Sequence, residues 1–257
     1  MTPNERFEGF ASFFMVRYLQ DCAYFMAKDG SFLRFEERGC QCCLMLPNAA
    51  VARTFSDHLV LLGGIPADRV HADPPPGSAT IDDWIAATDR GDVCELVDGT
   101  LVDRPMGFYE SLFAVCIAKY ISLASDNGRL GVTSGEQGFI RLGEFQVRAP
   151  DVAFFLRANL PDGRLPSERV PAICPDIAVK ILSSSNTMAE MAQQRKEYFQ
   201  GGCRLVWMVD PNARNVAVYR SPFKVEIVGL DAHLDGGDIL PGFKILVSDP
   251  FDEVDGQ

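Results

Sequence analysis

The sequence predicts an α/β domain over residues 80–250, a mixed sheet flanked by helices. Three observations predict it. Past residue 80, helical and strand periodicities follow one another in the order α, β, β, β, α, β. The segment 176–182 reads as a buried strand. Turn signals (Asp98-Gly99, Asp126-Asn127-Gly128, Gly201-Gly202 and Asp210-Pro211-Asn212) punctuate the periodic segments. At 257 residues, 47% hydrophobic and 23% charged, the chain has the composition of a globular protein with one large domain and room for a small appendage.

The elements follow in order. Residues 1–70 read as an N-terminal extension or small subdomain, with an aromatic-rich stretch at 7–27 of helical character. Residues 71–79, with Pro74-Pro75-Pro76-Gly77, read as a linker. Thr80 to Ala87 suggests a short capped helix, and residues 94–102 a hairpin turning at Asp98-Gly99. Pro105 opens a helix that runs to about Ser125. Two strands, 131–142 and 145–156, meet at Gly143, and a Pro/Gly-rich loop spans 158–172. Thr187 and Glu190 have the spacing of a capping box, so a helix starts there and stops at Gly201-Gly202. Strands at 204–209, 216–219, 224–229 and 240–247 complete the domain, with 251–257 as a tail.

Composition also excludes. No apolar run reaches 18 residues and no basic-then-apolar leader is readable, so the expectation is a cytoplasmic protein with no membrane partner. The eight cysteines are expected as free thiols; the run Cys40-Gln41-Cys42-Cys43 lacks a second pair at zinc-site spacing. A net charge of −11 argues against strong non-specific DNA binding, which rests on cationic contacts to phosphate. No phosphate loop, helix-turn-helix or nucleophile beside one of the three histidines is present.

The chemistry gathers at two segments. In Val147-Arg148-Ala149-Pro150-Asp151-Val152-Ala153-Phe154-Phe155, strand alternation puts Asp151 on the apolar face of Ala149, Ala153 and Phe155. A carboxylate there needs a cationic partner or a metal; a plain salt bridge or cap is the structural alternative. In Asp176-Ile177-Ala178-Val179-Lys180-Ile181-Leu182, Lys180 shares a face with Ala178 and Leu182, so it is buried and needs a counter-ion, for which Asp151 is the candidate. Asp176, at the strand's start, reads as a cap or as the edge of the site. Trp207 reads as sheet core.

Together with Glu95-Leu96-Val97-Asp98-Gly99, Ser185-Asn186-Thr187, Tyr198, Val206-Trp207, Val209-Asp210-Pro211 and Pro241-Gly242-Phe243, these segments resemble the Uma-two family of restriction endonucleases over about residues 94–251. That resemblance implies a restriction-endonuclease-like fold of the PD-(D/E)XK type, Mg²⁺-dependent hydrolysis of DNA phosphodiester bonds, and a homodimer. It implies Asp151 as a metal ligand. It also marks two departures: Lys180 stands where the family has its second carboxylate, and Gln194, four residues before Tyr198, where it has its lysine. Lys196 does not substitute, because two helical steps rotate it by about 200°. The exchange turns a carboxylate into an ammonium, so the expectation is weak metal affinity and slow or absent hydrolysis, which leaves a non-catalytic scaffold binding nucleic acid or a protein as the alternative function. Glu136 and Glu110 are the candidates for additional metal ligands. Glu136 follows Ser134-Gly135 in a strand beside Asp151, where it serves the hairpin or the metal. Glu110 shares a helix face with Phe113, Ala114 and Ile117, and either points inward or complements the helix N-terminus.

Overall fold

In the computed structural model, residues 54–126 and 128–256 are described, together with three N-terminal strands of which only the backbone is. The chain divides into two units, Met1–Asp57 and His58–Gln257. In the first, β1 (Phe14–Leu19), β2 (Cys22–Met26) and β3 (Phe32–Glu36) form an antiparallel meander. This corrects the helical reading of 7–27: aromatic and β-branched side chains suit a pleated ribbon as well as a helix. The rest of that stretch and the Cys40-to-Cys43 run lie outside the described residues.

The second unit is the α/β domain. After α1 (Phe55–Leu61), residues 62–79 pack onto the domain rather than hanging as a linker. Val70 bridges to Val102, His71 N–H bonds Leu101 O at 3.0 Å, and Ala79 N–H bonds Gly99 O at 2.8 Å. Leu62 and Ile65 bury against Val97 and Val102. The prolines that suggested a linker instead set a fixed crossing. Thr80 caps α2 (Ile81–Asp89) through a capping box with Asp83. The hairpin β4 (Cys94–Val97) and β5 (Thr100–Asp103) turns where expected, with Asp98 and Gly99 at φ 46° and 72°, the left-handed pair that such a turn requires. Next comes α3 (Phe108–Ala124).

Both of the expected long strands are broken. The first divides into β6 (Gly131–Ser134) and β7 (Ile140–Gly143), the second into β8 (Gln146–Arg148) and β9 (Val152–Leu156). β7 and β8 belong to a four-stranded sheet ordered β5-β4-β8-β7. β6 and β9 lie in a six-stranded sheet ordered β13-β12-β11-β10-β9-β6, where β10 is Ile177–Ile181, β11 Leu205–Asp210, β12 Asn215–Tyr219 and β13 Val225–Gly229. Between β6 and β9 the chain thus changes sheet twice, at residues 135–139 and at Ala149-Pro150-Asp151. Pro150 has no N–H for a ladder, which suits it to the second change.

α4 (Met188–Gln200), capped by Thr187 and Glu190, covers one face of the large sheet over Ala153, Phe155, Ala178, Val206 and Met208. α3 and α5 (Ser248–Asp255) cover the other over Val152, Phe154, Val179, Trp207 and Val209; β14 (His233–Gly236) and β15 (Leu240–Leu246) join them. The expected C-terminal tail is therefore mostly helix, anchored by Phe251, which is fully buried edge-on against Phe113 at 4.8 Å. β10 and β11 are parallel and the other neighbours antiparallel, the mixed sheet expected. No helix among the described residues is long and apolar enough to cross a membrane.

Candidate functional site

The seam between the two sheets collects the buried charge of the domain. Asp151 sits at the bend that opens β9, wholly inaccessible, on the α4 side of the sheet with Ala153 and Phe155. Its backbone N–H bonds Val179 O at 2.9 Å, which sets it beside the end of β10. There Lys180 Nζ donates to Asp151 Oδ1 at 3.1 Å and the Ile181 N–H donates to Oδ2 at 2.6 Å. The two groups expected to face one another across neighbouring strands do so.

Arg104, just past β5, is the third partner. Its guanidinium donates to Asp151 Oδ1 and, at 2.6 Å, to the backbone oxygen of Glu136. Its Nε lies 3.8 Å from Glu95 Oε1, so the guanidinium stands between the carboxylates of Asp151 and Glu95. Glu95, on β4, accepts from Arg148 at 2.7 Å and from the Ala149 N–H at 2.9 Å. Arg148 in turn donates to Glu197 of α4 at 2.7 Å, and Gln194 Nε2 reaches Glu95 Oε1 at 3.5 Å. Asp151, Glu95 and Glu197 thus face Lys180, Arg104 and Arg148: three anions and three cations, all nearly inaccessible to solvent.

The electrostatics follow this pairing. Burial pushes the Glu95 carboxyl up, but the Arg148 and Arg104 guanidinium groups and the Ala149 N–H outweigh it and hold it below the usual range. Burial opposes the charge on Arg148, and the Glu197 and Glu95 carboxylates more than restore it, raising its pKa further. Tyr198, also on α4, is pushed well above its ordinary value by burial and then by Glu95.

The other two predicted ligands do not join Asp151. Glu136 lies in the turn after β6 rather than in a strand. It gives its backbone oxygen to Arg104, while its carboxylate accepts from Ser111 Oγ of α3 at 2.9 Å. Glu110 is on α3, which packs against the opposite face of the sheet, and its carboxylate folds back over Gly107 at the helix start. That position complements the helix dipole. Asp176 is a structural cap, accepting from the Leu156 N–H at 2.8 Å and from Asn159.

Glu95, Arg104, Arg148 and Glu197 are network members that sequence reasoning did not single out. Glu95 and Arg148 carried a signal, since each is a charged residue inside a short apolar strand. Glu197 carried a misleading one: 190, 194, 197 and 198 form one helical face, and a polar stripe ordinarily turns to solvent, whereas Gln194 on the same face is placed at the site by the family resemblance and reaches Glu95.

Mg²⁺ asks for a near-octahedral set of oxygens at about 2.0–2.1 Å. Here both oxygens of Asp151 are already taken by donors, an ammonium holds the neighbouring strand position, and a guanidinium fills the space toward Glu95. The residues present do not fit the ion. Among the described residues no group of three or more His, Cys, Asp or Glu side chains is arranged to hold a metal.

Two comparisons bear on this geometry. The family described as "Uma2: Putative restriction endonuclease" matches residues 81–248. A solved structure from Anabaena variabilis, described as a putative nuclease belonging to DUF820, superposes with a TM-score of 0.60 at 19% identity, over 68% of this chain and 98% of that one. At that identity the likeness shows the shared α/β nuclease-like fold. Among curated proteins none matches.

Proposed function

The chain belongs to the Uma2 family of restriction-endonuclease-like proteins, and we propose that it is a member whose nuclease centre has become a neutral ion-pair core, with weak affinity for Mg²⁺ and little or no hydrolysis of DNA. One observation carries this reading. Asp151, the carboxylate that the family resemblance implies as a metal ligand, spends both oxygens on Arg104, Lys180 and the Ile181 N–H. A dication entering there meets two fixed cations, so it must displace both before gaining a ligand. What remains is a nuclease fold suited to holding nucleic acid or a protein in the cytoplasm without cutting.

Retained metal-dependent endonuclease activity is the second reading. The observation in its favour is that Asp151, Glu95 and Lys180 lie in one network, so two carboxylates and a lysine would be at hand if Arg104 swung out. In that case the carboxylates would hold the metal, which supplies Lewis-acid polarisation of the phosphoryl oxygen, and Lys180 would stabilise developing negative charge.

Calorimetric titration with Mg²⁺ and Mn²⁺, run beside a supercoiled-plasmid nicking assay, separates the two. The first reading expects no saturable heat at millimolar metal and nicking equal in wild type and Asp151→Ala. Metal-dependent nicking that Asp151→Ala abolishes would overturn it.

A further inference from the structure

Three buried polar atoms gather near Glu95 without hydrogen-bond partners among the described residues: Arg104 Nε, Gln194 Oε1 and Tyr198 Oη. Their residues are all but closed to solvent, at 6%, 3% and 1% exposure. Arg104 Nε lies 3.8 Å from Glu95 Oε1, and Gln194 Nε2 reaches the same oxygen at 3.5 Å. Reversing that amide would turn its oxygen against the Glu95 carboxylate, so Gln194 Oε1 points away from Glu95. Tyr198 stands one turn on from Gln194, on the same inward face of α4. Long side chains lean back toward a helix N-terminus, which carries the Tyr198 ring over Gln194. The charges acting on its hydroxyl are those of Glu95, Arg148, Arg104 and Asp151, all members of the seam.

Unmatched polar groups are costly to bury, and native interiors match nearly all of them. These three do not match one another: a direct bond would need about 2.5–3.2 Å, and none forms. Their chemistry selects what would join them. Arg104 Nε–H and Tyr198 O–H donate, and Gln194 Oε1 accepts. An anion would suit the two donors but face the amide oxygen and the Glu95 carboxylate. A cation would suit the oxygens but face the Arg104 guanidinium. A small neutral molecule that accepts twice and donates suits all three. Water does so with two lone pairs and one proton, leaving its second proton for Glu95 Oε1.

We propose that an internal water molecule is bound in the seam, accepting from Arg104 Nε–H and Tyr198 O–H and donating to Gln194 Oε1. It links the loop of Arg104 to α4 and helps fix the guanidinium between Asp151 and Glu95. Tyr198 thereby serves two regions. Its ring packs in the apolar layer with Ala153, Phe155, Ala178 and Met208, and its hydroxyl holds the water.

A crystal structure of the full chain, at a resolution where ordered waters are visible, tests the site, together with the variant Tyr198→Phe. The expected result is one isolated density peak with contacts of about 2.6–3.2 Å to Arg104 Nε, Tyr198 Oη and Gln194 Oε1. Tyr198→Phe removes the hydroxyl alone, and the sign of its effect distinguishes a bonded group from an orphan. A hydroxyl bonded to a held water stabilises the fold, so its loss should lower the urea midpoint by about 0.2–0.7 M. An orphaned hydroxyl destabilises it, so its loss would raise the midpoint. No peak at that point, a peak that anomalous scattering identifies as chloride, or a midpoint that Tyr198→Phe leaves unchanged or raises would each overturn the proposal. The wild-type density decides alone if the variant fails to fold.

Discussion

Removing the ammonium of Lys180 while keeping its length, as in Lys180→Met, leaves Asp151 buried with Arg104 and the Ile181 N–H, and gives the network an uncompensated negative charge. At 3.1 Å the pair interacts by about 5 kcal/mol at an effective dielectric near 20, much of it offset by desolvation. Breaking one side of a buried pair costs about 3–5 kcal/mol. For a domain of this size that lowers Tm by about 6–20 °C. Asp151→Asn keeps an acceptor for the Ile181 N–H but leaves Lys180 and Arg104 facing a neutral amide, so a loss of similar size is expected. The double variant is neutral again. Its cost should fall well short of the two single losses combined, with a coupling of about 2–4 kcal/mol. Urea unfolding of the four proteins, read as Cm at unchanged m, measures this cycle. Additivity within about 0.5 kcal/mol would refute the view that these two residues neutralise one another in the core.

Glu95 titrates below its ordinary value in the folded chain, so its contribution is complete above the unfolded value of about 4.5 and drains away as pH falls through the lower folded value; Glu95→Gln should flatten that acid limb in unfolding experiments run from pH 6 to 2. Arg69 bonds Asp103 O and Ser185 O and grips Glu190 with both terminal nitrogens, tying residues 58–79 to the ends of β5 and α4. Arg69→Met should cost about 2–3 kcal/mol in urea unfolding and open residues 58–79 to limited proteolysis. Gly63 adopts φ +90° with its Cβ position 2.6 Å from the backbone nitrogen of Glu190, so Gly63→Ala should lower stability by about 1–3 kcal/mol in a thermal melt.

Local rules reached a good part of this protein. Thr187 with Glu190 starts its helix as the spacing indicates, and the short capped helix expected from Thr80 is there, closed by Asp83, because a cap is satisfied within four residues. Asp98-Gly99 turns its hairpin for the same reason. Asp151 and Lys180 were legible as a facing pair because alternation assigns each to a face and burial demands a partner. Arg104 was not legible. It stands in a loop before Pro105, and nothing within reach in sequence shows that its guanidinium enters between carboxylates from β4 and β9. The inward polar face of α4 inverted the amphipathic rule, because the seam beneath that helix is charged rather than apolar.

The amino-acid sequence alone determined the order and kind of most elements after residue 80, and the placing of one carboxylate and one ammonium on a shared face, since these depend on short-range backbone preferences and on period. The tertiary structure decided that both long strands break and change sheet, that six charges converge at the seam, and that Glu110 and Glu136 turn elsewhere. Those outcomes depend on contacts between groups tens of residues apart, and the energy of a buried charge is set by which partners arrive from those distances.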